Sequence, residues 1–200
     1  QGVSSAASDV YKRQTDIQEE IPVVLPEVDY SYFGSPDRLG GRASLDANVR
    51  ALCRETGGEN FRRSLDSRWT WPYTIHGGQR LTLFARVQSD TYWLNDFQDP
   101  AAGGTNRQGF TGRVFPQVGL DWRYPFVRRG RWFSEVLEPI VGAVLAPNGG
   151  NPSKVPNEDS LDLELNETNV FMRSRLTGLD LVENGQRIYY GGQMRLITPK

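Results

Sequence analysis

The sequence predicts an all-β chain, an antiparallel up-and-down sheet of about seven or more strands forming a curved open piece of a transmembrane β-barrel. Three observations predict it. Apolar and polar residues alternate with a period of two in run after run. Short turns and longer loops alternate between those runs. Aromatic residues gather beside the turns.

Composition agrees and removes other classes. Of 200 residues, 38% are hydrophobic and 11% aromatic, with 21 Gly and 12 Pro. That mixture suits short strands joined by turns, whereas a disordered chain would lack the five Trp and eight Tyr. A net charge of -1 gives no footprint for nucleic acid. One Cys and one His exclude a disulfide framework within the chain, a cysteine metal site and a multi-histidine site. No apolar run reaches the ~18–20 residues of a membrane helix, so a membrane role requires a closed barrel.

Residues 1–14 carry neither an apolar centre nor a strand period, and read as a non-native, adapter-derived tail. The barrel-like sequence is assigned to residues 15–200. The clearest run is 42–52. Ala43, Leu45, Ala47, Val49 and Ala51 alternate with Ser44, Asp46, Asn48 and Arg50. Next, Leu65, Trp69, Trp71 and Tyr73 alternate with Ser64, Asp66, Arg68 and Thr70. Leu81, Leu83, Ala85 and Val87 alternate with Thr82, Arg86 and Gln88, with Phe84 interrupting the polar side. Val114, Pro116, Val118, Leu120, Trp122, Tyr124 and Phe126 alternate with Gln117, Gly119, Asp121 and Arg123. Leu137, Pro139, Val141, Ala143 and Leu145 share one side, opposite Glu138. Ile188, Tyr190, Met194 and Leu196 alternate with Arg187, Gln193 and Arg195.

Residues 75–79 read as a tight hairpin and 127–131 as a second short turn; 95–108 and 146–186 read as a longer and a very long loop. Short turns at one end and long loops at the other mark bacterial outer-membrane barrels. Parity puts 34–41 on the short-turn, periplasmic side and 55–60 on the outer side. Trp71, Tyr73, Trp122, Tyr124 and Trp132 then lie beside periplasmic turns, and Tyr92 and Trp93 beside an outer loop. Two such girdles are expected at the two membrane interfaces. On this reading Ser44, Asp46, Asn48, Arg50, Asp66, Arg68, Arg86, Gln117, Asp121, Arg123 and Glu138 line a wet lumen. Alternation alone also admits a soluble β-sandwich or β-solenoid with an aromatic core.

Catalytic signals are weak. His76 sits in a glycine turn and no G-x-S-x-G occurs. Gly77-Gly78 and Gly103-Gly104 lack the G-K-[ST] of a phosphate loop. The acidic stretch 158–164 could supply oxygen ligands to calcium, but its spacing is not that of an EF-hand, and a solvated loop face is the simpler reading. Cys53 reads as a small apolar residue at a strand end. No cofactor is expected.

Ordered segments resemble the C-terminal barrel of the LptD family, the lipopolysaccharide-assembly or organic-solvent-tolerance proteins. Leu25-Pro26-Glu27-Val28-Asp29-Tyr30 is similar to the family's L-P-x-[LV]-[DN]-Y. Arg113-Val114-Phe115-Pro116-Gln117 resembles its R-x-x-P-x, and Leu137-Glu138-Pro139 with Pro147 its L-E-P…P. The most specific match holds Asn157-Glu158-Asp159-Ser160, Glu167, Thr168, Asn169 and Phe171, then Arg175, Gly178, Asp180, Glu183, Gly185 and Arg187. It is similar to D-x-T-N-[LI]-F…R-[FL]-[ST]-G-x-D-R-x-E-x-G-x-R-x-x-Y-G, with Val170 and Leu181 as departures. The resemblance spans about residues 20–197. It implies a non-enzymatic barrel of the bacterial outer membrane that inserts lipopolysaccharide into the outer leaflet. It also implies an LptE-like lipoprotein plug and an LptA-like periplasmic bridge as partners. The 146–186 loop is expected to fold inward or cap the lumen. A porin, a nutrient receptor and a soluble carbohydrate-binding module with tryptophan platforms stay open as alternatives.

Overall fold

A computed structural model describes residues 23–53, 58–99, 105–161, 169–172 and 174–198. Among the described residues eight strands form one antiparallel sheet: β1 (Val23–Phe33), β2 (Arg42–Cys53), β3 (Glu59–Ile75), β4 (Gln79–Asp99), β5 (Thr105–Arg123), β6 (Phe126–Arg129), β7 (Ser134–Leu145) and β8 (Gln186–Ile197). Strands β1 to β5 pair in sequence order. β7 pairs along its whole length with β8, while its other edge takes β5 over Val118–Arg123 and β6 over Phe126–Arg129. β5 and β6 are thus one stave, interrupted at Tyr124-Pro125, where proline offers no N–H to the ladder. The Tyr124 N–H still reaches the Pro139 carbonyl at 3.2 Å.

Hairpin order puts the connections 34–41, 76–78 and 130–133 at one end of the sheet, and 54–58, 100–104 and 146–185 at the other. At the first end the turns are tight. The Gly78 N–H donates to the Ile75 carbonyl at 3.1 Å, and Gly130 to Phe133 at 2.9 Å. Gly77 and Gly78 both take φ near +87°, with values of 88° and 86°, a region that side chains disfavour. Asp37 accepts from the Leu39 and Gly41 N–H groups at 2.9 and 2.8 Å and from Trp69 Nε1 at 2.9 Å. Those bonds, that of Trp69 foremost, hold its carboxyl below the usual value.

Three boundaries differ from the sequence reading. The polar stretch 95–108 is mostly strand: β4 and β5 stay paired from Phe97↔Arg107 to Asp99↔Thr105, beyond a bulge in which Asp96 takes φ 57°. Interstrand bonding there overrides low β propensity. Residues 127–129 belong to β6, and the turn begins at Gly130. Asn60 is strand, paired with Leu52 and Leu94. Strands β3, β4 and β5, with 17, 21 and 19 residues, therefore outrun the ~9–11 residues expected of a minimal crossing.

The two sides of the sheet differ in kind. On the open side stand Leu45, Val49, Leu65, Leu83, Val87, Val114, Val118, Leu137, Val141 and Ile188, a set that includes many of the exposed large apolar residues. On the other side lie the polar and charged residues, and the described residues of the segment 146–185 pack over them. The buried groups of this molecule are mostly there: Asn48, Asn60, Arg62, Ser64, Asp66, Gln88, Asp90, Arg113, Gln117 and Asp121.

Candidate functional site

Register decides which side chains meet. Ser44↔Arg68, Asp46↔Asp66 and Asn48↔Ser64 are opposed between β2 and β3, and Arg50 is opposed to Arg62. Arg68↔Arg86 follows between β3 and β4, and Arg86↔Gln117 between β4 and β5. Asp121, Arg123 and Glu138 continue the same side on β5 and β7. The polar residues singled out from the sequence therefore share the covered face.

Three of these pairs set like charges against each other, and the two made of arginines are unfavourable unless an anion intervenes. For Arg68 and Arg86 the wall provides it. Arg86 Nε contacts both Asp66 oxygens at 2.8 and 2.9 Å, and Arg68 reaches Asp66 at 3.1 Å. For Arg50 and Arg62 the anions come from the loop. Arg62 bonds to Asp159 and, at 2.7 Å, to Asp180; Arg50 lies 3.3 Å from Asp159 and 3.4 Å from Asp180. Arg62 is 2% exposed and Asp180 0%. Asp180 also accepts from Tyr92 Oη at 3.0 Å and from the Glu158 and Asp159 N–H groups at 2.8 and 3.1 Å. Burial pushes the Asp159 carboxyl up, but the hydrogen bond and charge of Arg62 outweigh it and hold that carboxyl below 3.8.

A second anchor is Arg113 on β5. Its Nε meets Asp90 at 2.7 Å, and Ser64 Oγ donates to the same carboxylate. The remaining guanidinium nitrogens bond to the Leu179 and Asp180 carbonyls, both at 2.6 Å, and to Asn151 Oδ1 at 3.1 Å. Gln88 and Gln117 donate to the Leu179 and Glu183 carbonyls at 2.9 and 3.2 Å. Under this roof remains a cavity of about 190 Å³, bounded by Arg68, Arg86, Gln88 and Gln117 on the wall and by Leu176 and Leu181 on the loop.

The third contact is apolar. Phe84, Ile140, Val144 and Tyr189 form a buried cluster, with Phe171 of the loop edge-on to Tyr189 at 6.3 Å. A side chain at Gly119 would strike the Phe84 ring, and one at Gly191 the Phe171 ring at 2.7 Å, so these bare strand positions are seats for aromatic rings. Phe84, which breaks the polar pattern in the sequence, is the residue that gives the loop an apolar footing. Tyr189 Oη donates to Asp121 at 2.7 Å, and Asp121 takes Arg123 Nε at 2.8 Å.

The family-like motif lies in this roof. Gly178, at φ 77°, sits against Asp159, whose Oδ1 accepts the Leu179 and Asp180 N–H groups, both at 3.0 Å. Glu183 takes Arg175 N at 3.0 Å and Nε at 2.7 Å, and pairs with Arg187. Burial pushes the Glu183 carboxyl up, and the bonds from Arg187 and Arg175 more than reverse it. Gly185, at φ 82°, closes the neck, receiving Ala146 N–H at 3.2 Å and donating to the Pro147 carbonyl at 3.1 Å. Asn169 is buried and its carbonyl accepts Met172 N–H at 2.9 Å. Glu167 and Thr168 lie outside the described residues.

Of the aromatic residues, Trp71 and Tyr73 stack at 5.3 Å on the open face near the tight turns. Trp122, Tyr124 and Phe126 follow one another nearby, at 6.2 and 4.1 Å, and Trp132 lies exposed in the 130–133 turn. Trp93 pairs with Phe110 at 6.4 Å toward the other end. Tyr92 corrects the sequence reading. It does not stand with Trp93 but is buried under the loop, because neighbours on a strand point to opposite faces. Also corrected, for 158–161 of the acidic stretch, is the plain solvated face: Asp159 is engaged by two arginines, while 162–164 lie outside the described residues. Arg62 and Asp90 are not among the residues the sequence singles out, and Arg113 enters there only through its family-like R-x-x-P-x, yet Arg62 and Arg113 hold the loop and Asp90 holds Arg113. Continued alternation through 60, 62 and 64 was the available signal, masked by the Arg62-Arg63 doublet. His76 lies exposed in the β3–β4 turn.

An antiparallel wall, apolar on its open side and sealed on its charged side by one of its own loops, is a piece of a β-barrel built for a membrane. The chain belongs to the LptD family. Residues 4–200 match the model of that family, described as LPS transport system D. Its members are outer-membrane proteins of transport and assembly. Among curated proteins nothing matches the chain.

Proposed function

We propose that this chain forms barrel wall and inward-folded loop of an outer-membrane protein that places lipopolysaccharide in the outer leaflet. It works without covalent chemistry, as passage and scaffold. An LptE-like lipoprotein and an LptA-like bridge are the partners that family membership suggests. The observation carrying this reading is the height and purity of the open face. The row Phe61–Trp93–Phe110 and the row Trp71–Leu83–Leu120 are joined by register, and lie about 34 Å apart along the strands at ~3.4 Å per residue. A strand inclined by ~40° projects that onto roughly 26 Å, close to the ~25 Å apolar band of outer-membrane barrels. Between these rows the open face of β3, β4 and β5 carries one charge, Arg63, lying 5.1 Å from the Phe61 ring centre next to the upper row. A soluble sandwich would bury these residues and wet the charged ones; here exposure runs the other way.

The test is a pair of single-cysteine probes in the membrane-embedded protein, Leu45→Cys and Asp46→Cys. A lipid-borne quencher should reach a fluorophore at 45 and a water-soluble maleimide should react at 46. The opposite pattern sinks the orientation. Depleting the protein should also slow the arrival of new lipopolysaccharide at the cell surface. Unchanged arrival sinks the transport role while leaving the orientation intact.

A further inference from the structure

The two arginine pairs of the covered face are not treated alike. Arg68–Arg86 is neutralised from within the wall by Asp66. Among the described residues Arg50–Arg62 pairs with no wall carboxylate; both of its anions, Asp159 and Asp180, arrive on the loop. The Nε atoms of Arg50 and Arg62 are buried and have no hydrogen-bond partner among the described residues, so donors remain to spare. Tyr92 Oη and the Asn48 amide, which accepts Arg62 Nη2 at 2.9 Å, complete the surround. Beyond the four contacts that the two carboxylates make, the opposed guanidiniums keep surplus N–H groups that the several oxygens of a phosphate can take.

We propose that Arg50, Arg62 and Tyr92 form an exchangeable phosphate site on the barrel wall, for which the loop carboxylates of Asp159 and Asp180 are resident stand-ins. With the loop in place the site is closed. When the loop lifts, a like-charged pair is left facing itself, and a phosphate-bearing ligand restores the balance. This rests on the lipopolysaccharide reading, where the ligand is the phosphorylated glucosamine headgroup; free phosphate offers the same chemistry.

The test uses the full-length protein in detergent, with Asp159→Asn and Asp180→Asn combined. Three probes are compared: a bisphosphorylated glucosamine disaccharide without acyl chains, the same disaccharide dephosphorylated, and inorganic phosphate. Removing the competing carboxylates should tighten binding of the phosphorylated disaccharide about tenfold or more, with no gain for the dephosphorylated one. Adding Arg50→Gln and Arg62→Gln should abolish the gain. An equal gain with inorganic phosphate supports the site and assigns it to phosphate alone; a gain restricted to the disaccharide assigns it to the headgroup. No gain, or one that survives loss of both arginines, overturns the proposal. Heat-modifiable gel migration reports folding. Should the double variant not fold, Asp159→Asn alone should give a smaller gain, about threefold, with the same dependence on arginine. If binding behaves as expected but depleting the protein leaves lipopolysaccharide arrival unchanged, the transport reading fails and the phosphate site stands.

Discussion

Tyr92 and Trp93 are consecutive on β4, and their surroundings could hardly differ more. Tyr92 is 0% exposed, with its hydroxyl on Asp180; Trp93 is 64% exposed and touches Phe110. The same contrast runs along every long strand. Arg86, Gln88 and Asp90 lie beneath the loop, while Ala85, Val87 and Ser89 look away from it. The lesson is that polarity is sorted here for two solvents. The covered side holds charge in pairs and networks, as buried charge requires. The open side holds apolar surface with no protein to cover it, and a surface of that size normally marks a partner or a membrane.

Breaking the covered side should have the largest effect. Asp180→Ala leaves Tyr92 without its acceptor and Arg50 and Arg62 sharing Asp159. The expected cost is about 3–5 kcal/mol for the loop-closed state, the range for orphaning a buried charge. Hydrogen exchange at 178–183 should rise sharply while the β3–β4 ladder stays protected. Equal loss in both regions would show that loop and wall are one cooperative unit. The open side is tested by Val87→Arg, near the middle of the apolar band. In bilayers it should cost roughly 2–4 kcal/mol, measured by denaturant unfolding from liposomes, against ~0–1 kcal/mol for Tyr73→Arg near the interface. Equal costs at both positions would remove the membrane from the comparison.

Acid sharpens it further. The Glu183 carboxyl lies below its ordinary 4.5 in the folded chain. Its contribution is therefore present above about pH 4.5 and lost as pH falls through the lowered folded value. Protease cutting within 146–185 should increase below that pH, and Glu183→Gln should flatten the dependence. The smallest effect is local. Trp69→Phe removes the indole N–H from Asp37, and NMR titration should find the Asp37 carboxyl closer to its ordinary value, with the loop unaffected.

Which face a residue occupies was legible wherever alternation was strict, as from Ala43 to Ala51. Legibility failed where local preference and long-range pairing disagree. Asn95 and Gln98 are poor strand formers, yet pairing with Glu59 on β3 and with Asn106 on β5 keeps them in β4. Arg62 was hidden because Arg63 beside it is equally charged, so parity could not be read from polarity. Asp159 and Asp180 could be placed in a loop, but their partners on β2 and β3 stand 97 to 130 residues away in the chain, a distance at which no periodicity speaks. The glycines of the motif were recognisable by resemblance; that Gly178 and Gly185 take positive φ explains why those positions tolerate no ordinary side chain.

The loop is rooted between β7 and β8 but fastened to Arg50 and Arg62 on β2 and β3. From β7 back to β2 is four strand spacings, roughly 19 Å at ~4.8 Å each. It therefore acts as a bowstring across the arc, setting the bend of this stretch however many staves complete the ring. A string can be tied only after the bow is bent. Its knots join segments far apart in sequence, so they should close late in assembly, and a stave missing between β2 and β7 would leave it slack.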